Sequence, residues 1–147
     1  MPDNIQAQSK RIWLEVVTPT KLELRKEVEY VVAPTVDGVI GVLPGHIRLM
    51  TLLTTGILRY KISGEDFYMA VSQGYMEVTP TKVIVLAEAA DLPEEVNVEQ
   101  ALAEKRQAEA ELYKTLKERV DFAKAEIALS RAITKLELAK KTGHKEE

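Results

Sequence analysis

The sequence predicts an all-β amino-terminal sandwich or barrel followed by an antiparallel α-helical hairpin, and three observations predict it. Six of the seven glycines (Gly38, Gly41, Gly45, Gly56, Gly64 and Gly74) precede residue 75 and the last proline is Pro93, so residues 94–142 contain neither breaker. Charged side chains number 20 in residues 1–92 and 23 in residues 93–147, which roughly doubles their density. Apolar residues alternate in the first part and recur every three or four positions in the second, the periods of strand and helix. The boundary is placed at Asp91-Leu92-Pro93, giving a β domain over 11–92 and a two-helix domain over 93–147 with a frayed end. Residues 1–10 form a polar extension with the composition of a disordered terminus.

Each strand has its own signal. Ile12-Trp13-Leu14-Glu15-Val16-Val17 and Val28-Glu29-Tyr30-Val31-Val32-Ala33 are rich in β-branched and aromatic residues, and each is expected to end at a proline, Pro19 and Pro34. Residues 56–62 alternate, with Leu58, Tyr60 and Ile62 on one face and Arg59 and Lys61 on the other. A turn at Ser63-Gly64-Glu65-Asp66 returns the chain along residues 67–71, a hairpin pattern. It repeats in residues 74–78, a turn at Thr79-Pro80-Thr81-Lys82, and residues 83–87. Many short strands between turns make a sandwich or barrel, and about 80 residues suffice for one core of marginal stability.

The helices follow. Asn97-Val98-Glu99-Gln100 fits a capping box, in which the Asn side chain accepts from an amide three residues on and Gln reaches back to the cap. Leu102, Ala108, Leu112, Tyr113 and Leu116 make one stripe; Phe122, Ala125, Leu129, Ala132, Ile133 and Leu136 make a second, with Asp121 as its candidate cap. The break lies between residues 115 and 121. Both stripes are narrow and alanine-rich, so the hairpin buries little and is only weakly committed to one position.

Composition excludes several classes of function. With no cysteine there is no disulfide framework, thiolate nucleophile or Cys-based zinc site, and the two histidines, His46 and His144, lie far apart. No metal and no cofactor are expected. No apolar run approaches the ~20 residues that span a bilayer, and the first ten residues lack the apolar core of a secretory signal. A net charge of -3 and 5% aromatic content argue against nucleic acid. Ser72, His46 and Asp37 lie in separate segments, and no phosphate-binding G-x-x-x-x-G-K-[ST] run occurs, so no catalytic residue is assigned and the isolated chain is not expected to be an enzyme.

Residues 38–46 read G-V-I-G-V-L-P-G-H and are followed by Leu49, Thr51-Leu52-Leu53 and Gly56-Ile57-Leu58. Together with Val71-Ser72-Gln73-Gly74-Tyr75-Met76-Glu77-Val78, Val16-Val17-Thr18-Pro19 and the run Asp121-Phe122-Ala123-Lys124-Ala125-Glu126-Ile127-Ala128-Leu129-Ser130-Arg131-Ala132, this pattern resembles the epsilon subunit of bacterial F-type ATP synthase over about residues 11 to 140. The resemblance implies a rotor subunit of the central stalk on the cytoplasmic face of the plasma membrane. It implies a sandwich packed on the gamma subunit and the loops of the c-ring, with membrane contact only through the complex. It also implies a tail that moves between a folded position and an extended one. Extended, the tail meets the catalytic alpha and beta subunits and inhibits ATP hydrolysis, a bistable element.

The resemblance also distributes site residues. Asp37, Gly38, Gly41, Pro44, Gly45 and His46 become a c-ring or gamma contact loop; the alternative is a corner whose glycines serve backbone geometry alone. Where family members often carry an acid between the first two glycines, this chain has Val39-Ile40. Lys124, Arg131 and Lys135 share a helix face and are the implied inhibitory contact to a beta subunit. The alternative is a solvated face, but Arg131 and Lys135 have no acid three or four residues away on their own helix, whereas Lys124 has Asp121. Some members bind ATP through I/L-D-x-x-R-A. The matching Val96-Asn97-Val98-Glu99-Gln100-Ala101 has lost the aspartate and the arginine, so ATP binding is expected to be weak or absent. Apart from the resemblance, the residues also fit a sandwich adaptor whose helical hairpin docks on a partner's coiled coil.

Overall fold

The computed structural model describes residues 10–118 and 122–142. The expected Asp121 cap, the helix break and residues 1–9 fall outside them. In chain order the strands are β1 (Ile12–Val17), β2 (Leu22–Val28), β3 (Tyr30–Thr35), β4 (Gly38–Val42), β5 (Leu49–Leu53), β6 (Gly56–Ile62), β7 (Glu65–Val71), β8 (Gly74–Val78), β9 (Lys82–Ala87) and β10 (Ala90–Asp91). A single 3-10 turn (Pro93–Glu95) leads to the helices α1 (Val98–Glu118) and α2 (Phe122–Lys141).

The strands hydrogen-bond in the order β10-β7-β6-β3-β5-β8-β9-β1-β2, with β4 paired to β3 beside this path. Only β1 and β9 run parallel among these pairs. The sheet folds over on itself so that the inward residues of both halves share one core, in which Ile12, Leu14, Leu58, Met69 and Met76 are fully buried. Each such side chain contributes about 1.5–3 kcal/mol relative to exposure. Because alternate residues of a strand face opposite sides, β1 reads buried, half-buried, buried along its whole length. The sandwich-plus-hairpin fold class is the one the sequence predicts.

Three details differ from the sequence reading. Leu22–Val28 is a strand in its own right, paired with β1, and Val28 closes it rather than opening the next. Its run Leu-Glu-Leu-Arg-Lys-Glu-Val carries charge because β2 is an edge, where charged side chains discourage pairing with other chains. Pro34 lies inside β3 opposite Val39. It sits where β3 changes partner from β6 (residues 30–32) to β5 (Thr35), so its missing N–H costs no ladder bond there, while its carbonyl accepts from the Thr54 amide at 3.1 Å. Residues 38–42, read as part of a loop, form the edge strand β4.

The tail packs α1 against α2, and α2 against β6 and β7. The interface is made of alanines: Ala101 and Ala108 from α1, and Ala125, Ala132 and Ala139 from α2, all buried, with Leu138 fully enclosed. Leu102, Tyr113, Phe122 and Ile133, expected in the buried stripes, are exposed. Small side chains let the helix axes approach closely, which leaves the larger ones flanking the contact. At the carboxyl end the Lys141 ammonium lies 5.5 Å from the Tyr68 ring centre, joining α2 to β7 by a cation–π contact.

Candidate functional site

The glycine-rich stretch resolves into a turn, a strand and a second turn. The first turn holds Asp37 and Gly38: the Asp37 amide donates to Thr35 Oγ1 at 3.2 Å, and Gly38 has a φ of 107°, a conformation that side chains rarely adopt. Gly41 is an exposed strand residue. The second turn carries Pro44, Gly45 and His46, tied down by Gly45 N–H to Pro80 O at 2.8 Å and His46 N–H to Leu43 O at 3.1 Å. His46 Nδ1 is 2.7 Å from its neighbour's carbonyl, Ile47 O. Five strand residues at about 3.3 Å each separate the turns, so Asp37 and His46 do not converge. The residues that stand out are ones the sequence reading passed over: Val36, Val39, Leu43 and Ile47 are 54%, 74%, 62% and 78% exposed.

A second feature lies on the outer face of the half-sheet β5-β8-β9-β1-β2. Strand register places Leu52 opposite Tyr75, Tyr75 opposite Leu86, Leu86 opposite Val17 and Val17 opposite Leu22. This is an unbroken apolar row across five strands, roughly 19 Å long at the usual strand spacing. Leu22, Leu52, Tyr75 and Leu86 are each about half exposed. The row beneath it mixes Met50, Glu77 and Ile84 with Glu15 and Arg25, the last two joined at 2.9 Å. Arg25 also covers the Trp13 ring at 4.2 Å. Its pairing with Arg25 holds the Glu15 carboxyl below the usual carboxylate range. Alternation within single strands hides this row; it is visible only once register is known.

The helices bring Lys124, Arg131 and Lys135 to one place. All three line a groove of about 500 Å³ between α1 and α2, facing Glu104, Gln107 and Glu111. Lys135 Nζ is 3.3 Å from Glu104 Oε1. Lys135 has no acid at helical spacing on α2; its partner sits 31 residues earlier, on α1. Asp91 borders the same region beneath α2, with Arg131, Thr134 and Lys135 around it.

At the start of α1, half of the capping box forms. The Gln100 amide donates to Asn97 Oδ1 at 2.9 Å, whereas the Gln100 side chain extends forward to Glu104 at 3.4 Å instead of back to the cap. Ala101 is buried against α2, and Val96 is half-buried. The Asn97 side chain therefore caps α1, while the Gln100 side chain lies along the helix toward Glu104. Among the described residues no group of three or more His, Cys, Asp or Glu side chains is placed to hold a metal, and no helix is long and apolar enough to cross a membrane.

Comparison with known proteins gives this arrangement a family. The model of the ATP synthase Delta/Epsilon chain beta-sandwich domain matches residues 11–93, and that of the long alpha-helix domain matches residues 94–140. The ATP synthase epsilon chain of Nitratidesulfovibrio vulgaris (strain DP4) is 43% identical over 127 residues, covering 86% of this chain and 94% of that protein. The epsilon chain of Syntrophobacter fumaroxidans is 42% identical over 134 residues, 91% and 99% of the two chains. A chain in the cryo-EM structure of Euglena gracilis mitochondrial ATP synthase (OSCP/F1/c-ring, rotational state 1) superposes with a TM-score of 0.71 at 25% identity, over 89% of this chain and 82% of that one. The chain belongs to the epsilon-chain family of F-type ATP synthases, whose members are central-stalk subunits of the complex and not its catalytic ones.

Proposed function

We propose that the sandwich docks on the gamma subunit through the row Leu22, Val17, Leu86, Tyr75 and Leu52, and meets the c-ring loops through the 36–47 hairpin. The apolar row carries this reading. A contiguous exposed apolar stripe on the half-sheet away from the helices is expensive to leave in water and is the usual mark of a protein interface. The exposed Val36, Val39, Leu43 and Ile47 make the ring contact an apolar one rather than a charged one. The subunit is thereby held peripherally at the cytoplasmic face of the membrane through the complex alone. Replacing Leu52 and Leu86 together by Asp should abolish co-purification with gamma while the chain keeps its strand signal. Full recovery with gamma would refute the docking surface.

The tail supplies regulation. In the docked position described here Lys124, Arg131 and Lys135 face α1, so they meet an acidic segment of a beta subunit only once the hairpin leaves the sandwich and opens. Inhibition of hydrolysis thus requires undocking. ATP is not the controlling ligand, because Asn97, which caps α1, and Gln100, which bonds Glu104, supply neither the carboxylate nor the cation that such binding uses. A calorimetric titration of the chain with ATP should give no micromolar affinity.

A further inference from the structure

We propose that Glu104 and Asp91 compete for the Lys135 ammonium, and that the outcome sets how firmly the tail sits on the sandwich. With Lys135 held by Glu104, the half-buried Asp91 is left unpaired and loosens the docked tail. The inference rests on the mobile-tail reading above and adds the device that biases it.

Asp91 ends β10, where it opposes Ala70 of β7. Because α2 lies over β6 and β7, Asp91 is covered by Arg131, Thr134 and Lys135. Among the described residues its carboxylate accepts no hydrogen bond and joins no ion pair. Of the two cations that line this pocket with Asp91, Arg131 and Lys135, the latter is already engaged: Lys135 Nζ lies 3.3 Å from Glu104, and its side chain is only 22% exposed. Charged groups act on Asp91 from three elements, Lys135 and Arg131 from α2, Glu95 from the 3-10 turn and Glu104 from α1, while β7 presents Ala70 to it. Burial pushes the Asp91 carboxyl above its ordinary range; Lys135 and Arg131 pull it down, Glu95 and Glu104 push it up, and the net direction is upward. A charge at position 91 is therefore less favourable under the docked helix than in water.

A carboxyl raised in the docked state contributes to docking fully below its ordinary value, and that contribution is lost as pH rises through the docked-state value. Asp91→Asn mimics the protonated form and should tighten docking. Removing Glu104 changes the sign. In Glu104→Gln the freed Lys135 turns to Asp91, so Asp91 becomes a partner instead of a liability, and Asp91→Asn then removes an attraction.

Amide hydrogen exchange on the full-length chain tests this as a double-mutant cycle. Ion pairs of this exposure are worth ~0.2–1 kcal/mol, which is up to about fivefold in an equilibrium. Asp91→Asn alone should slow exchange in α2 by roughly two- to fivefold, while β1 and β9 keep their rates as a control for folding. In the Glu104→Gln background the same change should leave α2 exchange unchanged or faster. Lys135→Met, which removes the contested cation, should make α2 exchange faster. The proposal is overturned if Asp91→Asn speeds α2 exchange in the parent, or slows it equally in both backgrounds. The assembled synthase separates this from the inhibitory reading. Opposite exchange effects with no change in hydrolysis would support the competition and refute an inhibitory tail. Changed hydrolysis without the sign reversal would refute the competition and leave the inhibitory tail standing.

Discussion

Gly74 offers a perturbation whose cost can be worked from the geometry. It opens β8, opposite Ala87 of β9 on one side and Leu53 of β5 on the other. A Cβ there would stand 1.9 Å from Leu86 O and 2.9 Å from Ala87 Cα, both backbone atoms that no rotamer change can move aside. Relief to the 3.0 Å that real contacts respect requires a shift of at least 1.1 Å in a strand held on both edges. Overpacking of this kind costs about 1–3 kcal/mol, and the neighbouring bond from Glu88 N–H to Gln73 O, 3.0 Å long, adds about 1 kcal/mol if it breaks. Gly74→Ala should therefore destabilise the sandwich by about 2–4 kcal/mol, which at about 4–8 °C per kcal/mol lowers Tm by roughly 8–32 °C. Scanning calorimetry of the full chain measures it, with Gly41→Ala as control: no atom lies within 4 Å of a Cβ at Gly41, so Tm should scarcely move. A Gly74→Ala Tm within about 3 °C of the parent would refute the reasoning. Because Tyr75 follows Gly74 in the chain and the clash falls on the Leu86 carbonyl, the shift disturbs two members of the apolar row, and the same variant should also weaken recovery with gamma.

Two further outcomes are expected. Replacing Lys124, Arg131 and Lys135 together by Ala should make the assembled enzyme hydrolyse ATP severalfold faster, since each exposed pair with the beta subunit is worth ~0.2–1 kcal/mol; an unchanged rate would sink their assignment as the inhibitory contact. Acid should destabilise the sandwich through Glu15 and Asp66, whose carboxyls are held low by hydrogen bonds from Arg25 and from the Tyr30 hydroxyl respectively. Lowered groups stabilise above their ordinary value and lose that contribution as pH falls through the folded-state value. Glu15→Gln with Asp66→Asn should flatten the acid limb of a stability–pH curve, opposite in sign to Asp91.

The fold was legible wherever one strand or helix declares itself by its own pattern. The alternation of Leu58, Tyr60 and Ile62, the turn at Ser63-Gly64 and the breaker-free tail each point one way locally. What escaped depends on neighbours. The charges of β2 make sense only at an edge, and Pro34 fits a strand only because β3 changes partner there. The alanine interface displaced Leu102 and Ile133 because side-chain size sets helix separation, which periodicity does not encode. The site followed the same rule. The spacing of Lys124, Arg131 and Lys135 puts them on one face, and they line one groove, yet Glu104 lies on the opposing helix and the row from Leu52 to Leu22 crosses five strands, so neither is readable without tertiary pairing.

If the tail restrains hydrolysis while the sandwich alone joins the rotor, ATP hydrolysis by the assembled complex should respond to the loss of residues 93–147. The truncated subunit should still be recovered with gamma, and hydrolysis should rise. Unchanged or lower hydrolysis in a complex that retains the truncated sandwich would contradict it.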